Sequence, residues 1–393
     1  MKSVLKYVLI GIFVLSITLN ILIFSYFLPR YEIGDFYSKF IERSLPTKIV
    51  YEPPTMPEFY LENKLQLSID KHVQNKEDFD IWKNNVLTKL QDHLGFKTED
   101  ITISSVKKLE EDETVNSSLS KYSMEGQDGD QIIFYQLLPN NQEGKIPVVL
   151  IIPGSGNQGA LDVINKPGEF SYYYYQKGIA NNIVDSGFAV FVIENRGWGE
   201  RSIPTGSLCQ GVIADRLYCS GTLLSNQLRQ FGYSLNSLQV MDTIQLLKYI
   251  KSLEQIDSEN ISIMGLSLGS FIAMKVSALD PEVKSTIMAS GFRSYQHRWS
   301  GNGAGMLEFF DIPDIVSTIA PRSIYLSWGT NELHPWNYEA ATLHSINMIR
   351  KAYSLFDAED FITLVIHEDE FNSGHTYDIP SVLEFLEKSH ANT

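Results

Sequence analysis

Three hydrophobic rhythms follow one another along this chain. Residues 7–29, between Lys6 and Arg30, are uncharged and mostly Ile, Leu, Val and Phe. Coiled as a helix, they would reach roughly 30 Å, enough to cross a bilayer's hydrocarbon core. A second rhythm begins after a stretch holding Pro46, Pro53, Pro54 and Pro57. Phe79, Trp82, Val86, Leu87, Leu90 and Leu94 recur at helical spacing, which predicts a helix over 76–94 packing its apolar face on the main domain. The pattern then turns β-like at Ile101–Val106, Ser118–Ser123 and Gln131–Leu138, with a turn at Gln127–Asp130. From Val148 the third rhythm alternates short apolar runs with helical patterns. The runs are Val148–Ile152, Phe188–Ile193, Ile261–Met264, Lys284–Ala289, Ile324–Ser327 and Ile362–Ile366. Between and after them lie Tyr174–Asp185, Leu238–Leu253, Phe271–Ala278, Tyr338–Tyr353 and Ser381–Lys388. Continuous apolar runs are the mark of strands buried on both faces. An α/β fold is expected, a mostly parallel sheet with helices on both faces and an antiparallel start.

This rhythm divides the chain into 1–30, a cytoplasmic stub and transmembrane anchor; 31–99, a tether and helical segment; and 100–393, one large α/β domain. The uncharged stretch exceeds the roughly 7–15 residues of a secretory signal and ends on the bulky Phe24–Leu28, so a retained anchor is expected. Lys2 and Lys6 favour a cytoplasmic N-terminus, placing the rest in the periplasm or outside the cell.

Composition narrows the function. With 32 Lys and Arg against 47 Asp and Glu, the net charge of −15 speaks against nucleic-acid binding and favours neutral over polyanionic substrates. Two cysteines are too few for a disulfide scaffold or a cysteine-based zinc site. Cys209 and Cys219 lie close in sequence on the expected oxidising side of the membrane, and a disulfide between them is expected.

The sharpest local signal is Gly265-Leu266-Ser267-Leu268-Gly269, after one predicted strand and before a helix. A strand-to-helix turn of this kind lifts a serine above the sheet edge, and its glycines permit the crowded backbone. The serine needs a base. Of eight histidines, His375 stands in the loop after the last predicted strand, which emerges at the same sheet edge; His367, at that strand's end, is the second choice. A carboxylate should orient the base, and Glu332 follows the strand Ile324–Ser327 on that edge, giving the order Ser267, Glu332, His375. Asp357, Glu359 and Asp360 precede a strand and fall at the opposite edge.

The loop Pro153-Gly154-Ser155-Gly156-Asn157-Gln158-Gly159 matches the glycine spacing of a dinucleotide-binding turn. Pro167-Gly168 interrupts the helix that such a turn requires, and Glu194 comes too late to be its ribose-binding acid. Close backbone approach to an oxyanion explains the same glycines. Arg196 and Glu200 read as loop-fixing rather than catalytic. Segments 201–235 and 292–320 are long connections above the catalytic edge, carrying Tyr218, Phe231, Tyr233, Tyr295, Trp299, Phe309 and Phe310.

Over roughly residues 100–390 the chain resembles the α/β-hydrolase superfamily, and looks most like its acetyl xylan esterase and dienelactone hydrolase-like branch. The matching residues are Asn195–Glu200, Leu266–Gly269, Ala278–Lys284, Asp311–Asp314 and Ala320–Arg322. The resemblance implies an α/β-hydrolase fold, Ser267 as nucleophile, His375 as base, Glu332 as acid, and oxyanion donors at the backbone of Leu268 and Ser155. Glu332 stands where Asp is usual in the family, and Pro153 where histidine often precedes the glycine. A membrane-anchored serine hydrolase acting on a small-molecule carboxylic ester is therefore expected, without cofactor or metal. A prolyl oligopeptidase-like peptidase and a catalytically silent binding protein on the same fold are the alternatives.

Overall fold

The computed structural model describes residues 65–391 apart from 114–116, 141–143, 157, 165–175, 204–212, 293–305, 331–338 and 369–373. The expected anchor and most of the tether lie outside these residues. Among the described residues no helix is long and apolar enough to cross a membrane.

Among the described residues nine strands form one sheet: β1 (Val106–Glu113), β2 (Ser117–Glu125), β3 (Gln131–Pro139), β4 (Ile146–Ile152), β5 (Ala189–Ile193), β6 (Ile256–Leu266), β7 (Ser285–Ala289), β8 (Ser323–Gly329) and β9 (Ile362–His367). Their spatial order is β1-β2-β3-β5-β4-β6-β7-β8-β9. The β1–β2, β2–β3 and β3–β5 pairs are antiparallel, and the pairs from β5 through β9 are parallel. The longer helices are α1 (Lys76–Leu94), α2 (Ile179–Asp185), α3 (Ile213–Gln230), α4 (Leu235–Lys251), α5 (Leu268–Leu279), α6 (Ile312–Ser317), α7 (Glu339–Ser354) and α8 (Ile379–Ala391).

The period-2 geometry of the strands divides the core in two. Val148, Leu150 and Ile152 of β4 join Ile261 and Ile263 of β6 in a layer with α1, α4, α5, α6 and α7. Val149 and Ile151 turn to the other face, where Met264 and Leu266 meet α2 and α8. The expected two-faced parallel sheet is present, and α1 buries Phe79, Trp82, Val86, Leu90 and Leu94 as its spacing predicts.

The arm before α1 is stitched to the region around α6. Leu65, Gln66 and Leu67 donate to the carbonyls of Leu307, Glu308 and Phe309, and the Ile69 N–H reaches Asp314 Oδ1 at 2.8 Å. Asp314 also closes a capping box with Asp311 at the start of α6. Arg322, after the cis Ala320–Pro321 bond, donates to the carbonyls of Ser277, Asp280 and Val283 and so ties off the end of α5. The family-like motifs around residues 280, 311 and 320 thus hold elements together.

Two expectations fail. No strand covers Ile101–Val106; β1 begins at Val106 and runs through Lys107, Lys108, Glu110, Glu111 and Asp112. It is an edge strand, where charged residues are favoured because they block pairing with another chain, and so it lacks an apolar pattern. Segment 201–235, read as a connection, holds the helix α3. Gly221 on α3 packs so closely on Trp198 that a Cβ there would lie 2.4 Å from the indole.

Candidate active site

Strand β6 delivers Ser267 directly into α5. Ser267 has φ 55° and ψ −113°, a left-handed conformation unusual for a residue with a side chain. The turn closes because its glycines have no Cβ. One at Gly265 would stand 2.2 Å from the Gly269 carbonyl, and one at Gly269 would stand 1.9 Å from the Ile152 carbonyl oxygen. The Ser267 N–H donates to the Ala289 carbonyl at 2.9 Å, fixing the turn to β7. Ser267 is half-buried, at the C-terminal edge of the parallel sheet. Leu268 opens α5, so its N–H has no partner within the helix.

The turn after β4 lies against α5 through the close approach of Gly269 to Ile152 and Pro153. Asn195 Nδ2 donates to the Pro153 carbonyl at 2.6 Å, and the Gly154 N–H donates to Gln176 Oε1 at 2.9 Å. The Gly156 N–H turns back to the Gly154 carbonyl at 3.0 Å. Among the described residues no acceptor stands against the Ser155 N–H.

His375 is half-buried in the loop between β9 and α8. Its neighbour Gly374 has φ 83° and touches the end of β8 so closely that a Cβ at Gly329 would lie 2.4 Å from Gly374 Cα. The loop bearing His375 thus abuts the end of β8, the strand that the loop expected to carry the acid follows in the chain. Glu332 in that loop lies outside the described residues. His367 ends β9, where its carbonyl accepts the Thr330 N–H at 3.0 Å. Asp357, Glu359 and Asp360 lead into β9 at the opposite edge, as their order in the chain implies. His72 approaches the Gln66 carbonyl at 2.5 Å. His390, in the last helix, has its Nε2 2.8 Å from the buried Ser262 Oγ and is held down to about 4, chiefly by burial.

Arg196 and Glu200 are structural, with partners far along the chain. Arg196 pairs with Asp128 and Asp242; Arg201 bridges Asp242 at 2.8 Å and Asp130 at 2.6 Å. Glu200 joins Lys121 at 2.6 Å and accepts from the Tyr135 hydroxyl. Of the aromatic side chains expected above the catalytic edge, Phe231 and Tyr233 are exposed, Phe309 is partly buried and Phe310 is wholly in the core. Tyr295 and Trp299 fall outside the described residues, as do the Tyr218 side chain and the expected Cys209–Cys219 disulfide.

Glu194, Asn195 and Gln176 were not legible as site residues. Glu194, considered only as a ribose ligand, ends up buried beneath the turn, its carboxylate oxygens each 3.2 Å from the Ala160 N–H. Burial pushes it up to about 8. The signal that could have found it is the pair Gly159 and Gly199, whose missing Cβ atoms make room for its carboxyl.

A cavity of about 910 Å³ lies between the ends of α1, α3 and α4 and the Asp128 turn. His93 and Asn236 line it, whereas Ser267, His375 and Ser155 do not. Behind Asn236, and bonded to its Oδ1, is Lys275, wholly buried and lowered to about 7 by desolvation. Among the described residues no group of three His, Cys, Asp or Glu side chains is placed to hold a metal.

A model of the Abhydrolase family matches residues 60–299. No curated protein sequence matches the chain. Similar solved structures include a Bacteroides fragilis protein provisionally assigned as an acetyl xylan esterase, with TM-score 0.67 and 18% identity, covering 84% of this chain and 93% of its own. Another is the methylesterase BT1017, with TM-score 0.61 and 16% identity over 87% of this chain and 70% of its own. A glucuronoyl esterase from Solibacter usitatus has TM-score 0.56 and 12% identity over 88% of this chain and 99% of its own. At these identities the likeness is one of fold.

Proposed function

The chain belongs to the Abhydrolase family, and from that premise we propose that it is a serine hydrolase acting on carboxylic esters. The observation that carries the proposal is the left-handed Ser267 between β6 and α5, a strained conformation sustained by glycine contacts on both sides. Ser267 Oγ attacks the ester carbonyl while His375 takes its proton and later returns it to the leaving alcohol. Glu332 holds the imidazole in the required tautomer. The N–H groups of Leu268 and Ser155 receive the charge that develops on the carbonyl oxygen, where fixed donors act most strongly. Esters rather than amides are favoured because all three neighbours bear esterase names.

The test is hydrolysis of a panel containing short and long acyl esters, acetylated sugars, methyl uronates and peptides. Ester turnover that Ser267→Ala and His375→Ala each lower by about three orders of magnitude or more is expected. Turnover of peptides alone would redirect the assignment to a peptidase. We also assign residues 7–29 as a membrane anchor with the catalytic domain on the outer side, supported by their length and lack of charge. Fractionation checks it: the full chain should stay with membranes after a carbonate wash, and protease added to spheroplasts should reach the catalytic domain.

A further inference from the structure

Glu194 is a buried acid beneath the β4 turn with no role in the chemistry above. Its carboxyl lies between two glycines with positive φ: a Cβ at Gly159 would lie 1.9 Å from Glu194 Oε1, and one at Gly199 would lie 2.5 Å from both of its oxygens. It takes the Ala160 N–H on one side, and Arg201 Nη1 donates to its backbone carbonyl at 3.2 Å on the other. Next to it in the chain, Asn195 holds Pro153, and Gln176 holds Gly154. The turn is thus fixed at its start by two amides and at its end by an acid.

We propose, building on the hydrolase reading, that Glu194 is a positioning residue of the reaction, bracing the 153–160 turn so that the Ser155 N–H keeps its aim at the acyl oxygen. The charges facing it explain why a carboxyl serves. On β3, Tyr135 directs its hydroxyl to Glu200. In the loop after β5, Glu200 is paired with Lys121, and Arg201 is engaged by Asp130 and Asp242. Asp162, just past the turn, is buried and acidic. Desolvation pushes the Glu194 carboxyl up to about 8, outweighing the backbone N–H groups of Ala160 and Glu200 and the Arg201 charge, which favour its ionised form, so that it is mostly protonated at pH 7. In that state it braces the turn without charge. Ionised, it would place a negative charge beneath a site built to collect one, and the oxyanion would be stabilised less.

The experiment is the pH dependence of kcat for wild type, Glu194→Gln and Glu194→Ala on the best ester, with Ser267→Ala turnover subtracted. Wild type should lose about tenfold or more in kcat between pH 7 and 9.5, since a single group with a midpoint near 8 is then almost fully ionised. Glu194→Gln, the uncharged isostere, should keep kcat at pH 7 within about twofold and lose the alkaline fall. Glu194→Ala, in folded protein, should lower kcat roughly 10- to 100-fold with KM nearly unchanged, as expected when a transition-state donor is misplaced. An alkaline fall that persists in Glu194→Gln, or an unchanged kcat in folded Glu194→Ala, overturns the proposal. A wild type that hydrolyses no ester overturns the hydrolase reading, and with it any positioning role for Glu194. Infrared difference spectra between wild type and Glu194→Gln separate the protonation argument from both: a carboxylic-acid band lost near pH 8 supports it, and a band absent at pH 6 removes it.

Discussion

At the scale of single residues, two side chains are held in place at a cost. A left-handed serine costs about 1–3 kcal/mol, and the turn that holds it closes because Gly265 and Gly269 carry no Cβ. Ser267→Gly should therefore abolish turnover yet raise the unfolding free energy by about 1 kcal/mol relative to Ser267→Ala, measured by urea denaturation. Lys275 is a second residue held at a cost. Its amine is wholly buried against Asn236, and desolvation lowers it to about 7. A base whose folded value lies below its unfolded value of about 10.4 weakens the fold most at and below the lower of the two. Lys275→Met should therefore stabilise the protein by about 2–4 kcal/mol at pH 7, and by much less near pH 10.5, where about half of the amine is neutral even when unfolded. Neither cost is legible in the sequence in the same degree. The serine is announced by flanking glycines, whereas Lys275 sits in a helical pattern that gives no sign of what covers it.

At the scale of elements, charged side chains distant in sequence align the parts that flank the site. Asp242 on α4 receives Arg196 and Arg201, and the same two arginines reach the β2–β3 turn through Asp128 and Asp130. Removing one charge from such a buried cluster leaves the others uncompensated. Asp242→Asn should cost about 3 kcal/mol in stability, read by thermal or denaturant unfolding. The central strands were legible because each is apolar on both faces, and β4, β5 and β7 lie within a residue or two of their expected ranges. Strand β1 was not, because an edge strand carries charges instead of an apolar run. Helix α3 was missed because Gly221 stands in the apolar line of Ile213, Leu217, Leu224 and Leu228, where it admits Trp198.

At the scale of the whole molecule, buried ionisable groups pull stability in opposite directions with pH. His390, held down to about 4 beside Ser262, refuses a proton that the unfolded chain accepts near pH 6.5, so its contribution is lost as pH falls through that interval. Glu194 and Asp314, raised to about 8 and about 7 by burial, favour the folded state as pH falls through those values toward about 4. The melting temperature of His390→Gln relative to wild type should therefore rise steadily from pH 6.5 to pH 4; a constant difference would show that the imidazole is not held neutral. The places of Ser267 after β6 and His375 after β9 were legible in order and edge, because parallel connections fix which loops share an edge. What supports the β4 turn was not legible, since Gln176, Glu194 and Asn195 reach it only through tertiary packing.

The most direct measurement is the intact mass of the protein after treatment with a fluorophosphonate. Folded wild type should gain a single adduct, mapped to Ser267 by peptide sequencing, and Ser267→Ala should gain none. A folded wild type that stays unmodified, or an adduct that persists in Ser267→Ala, would contradict a serine nucleophile at the β6–α5 turn.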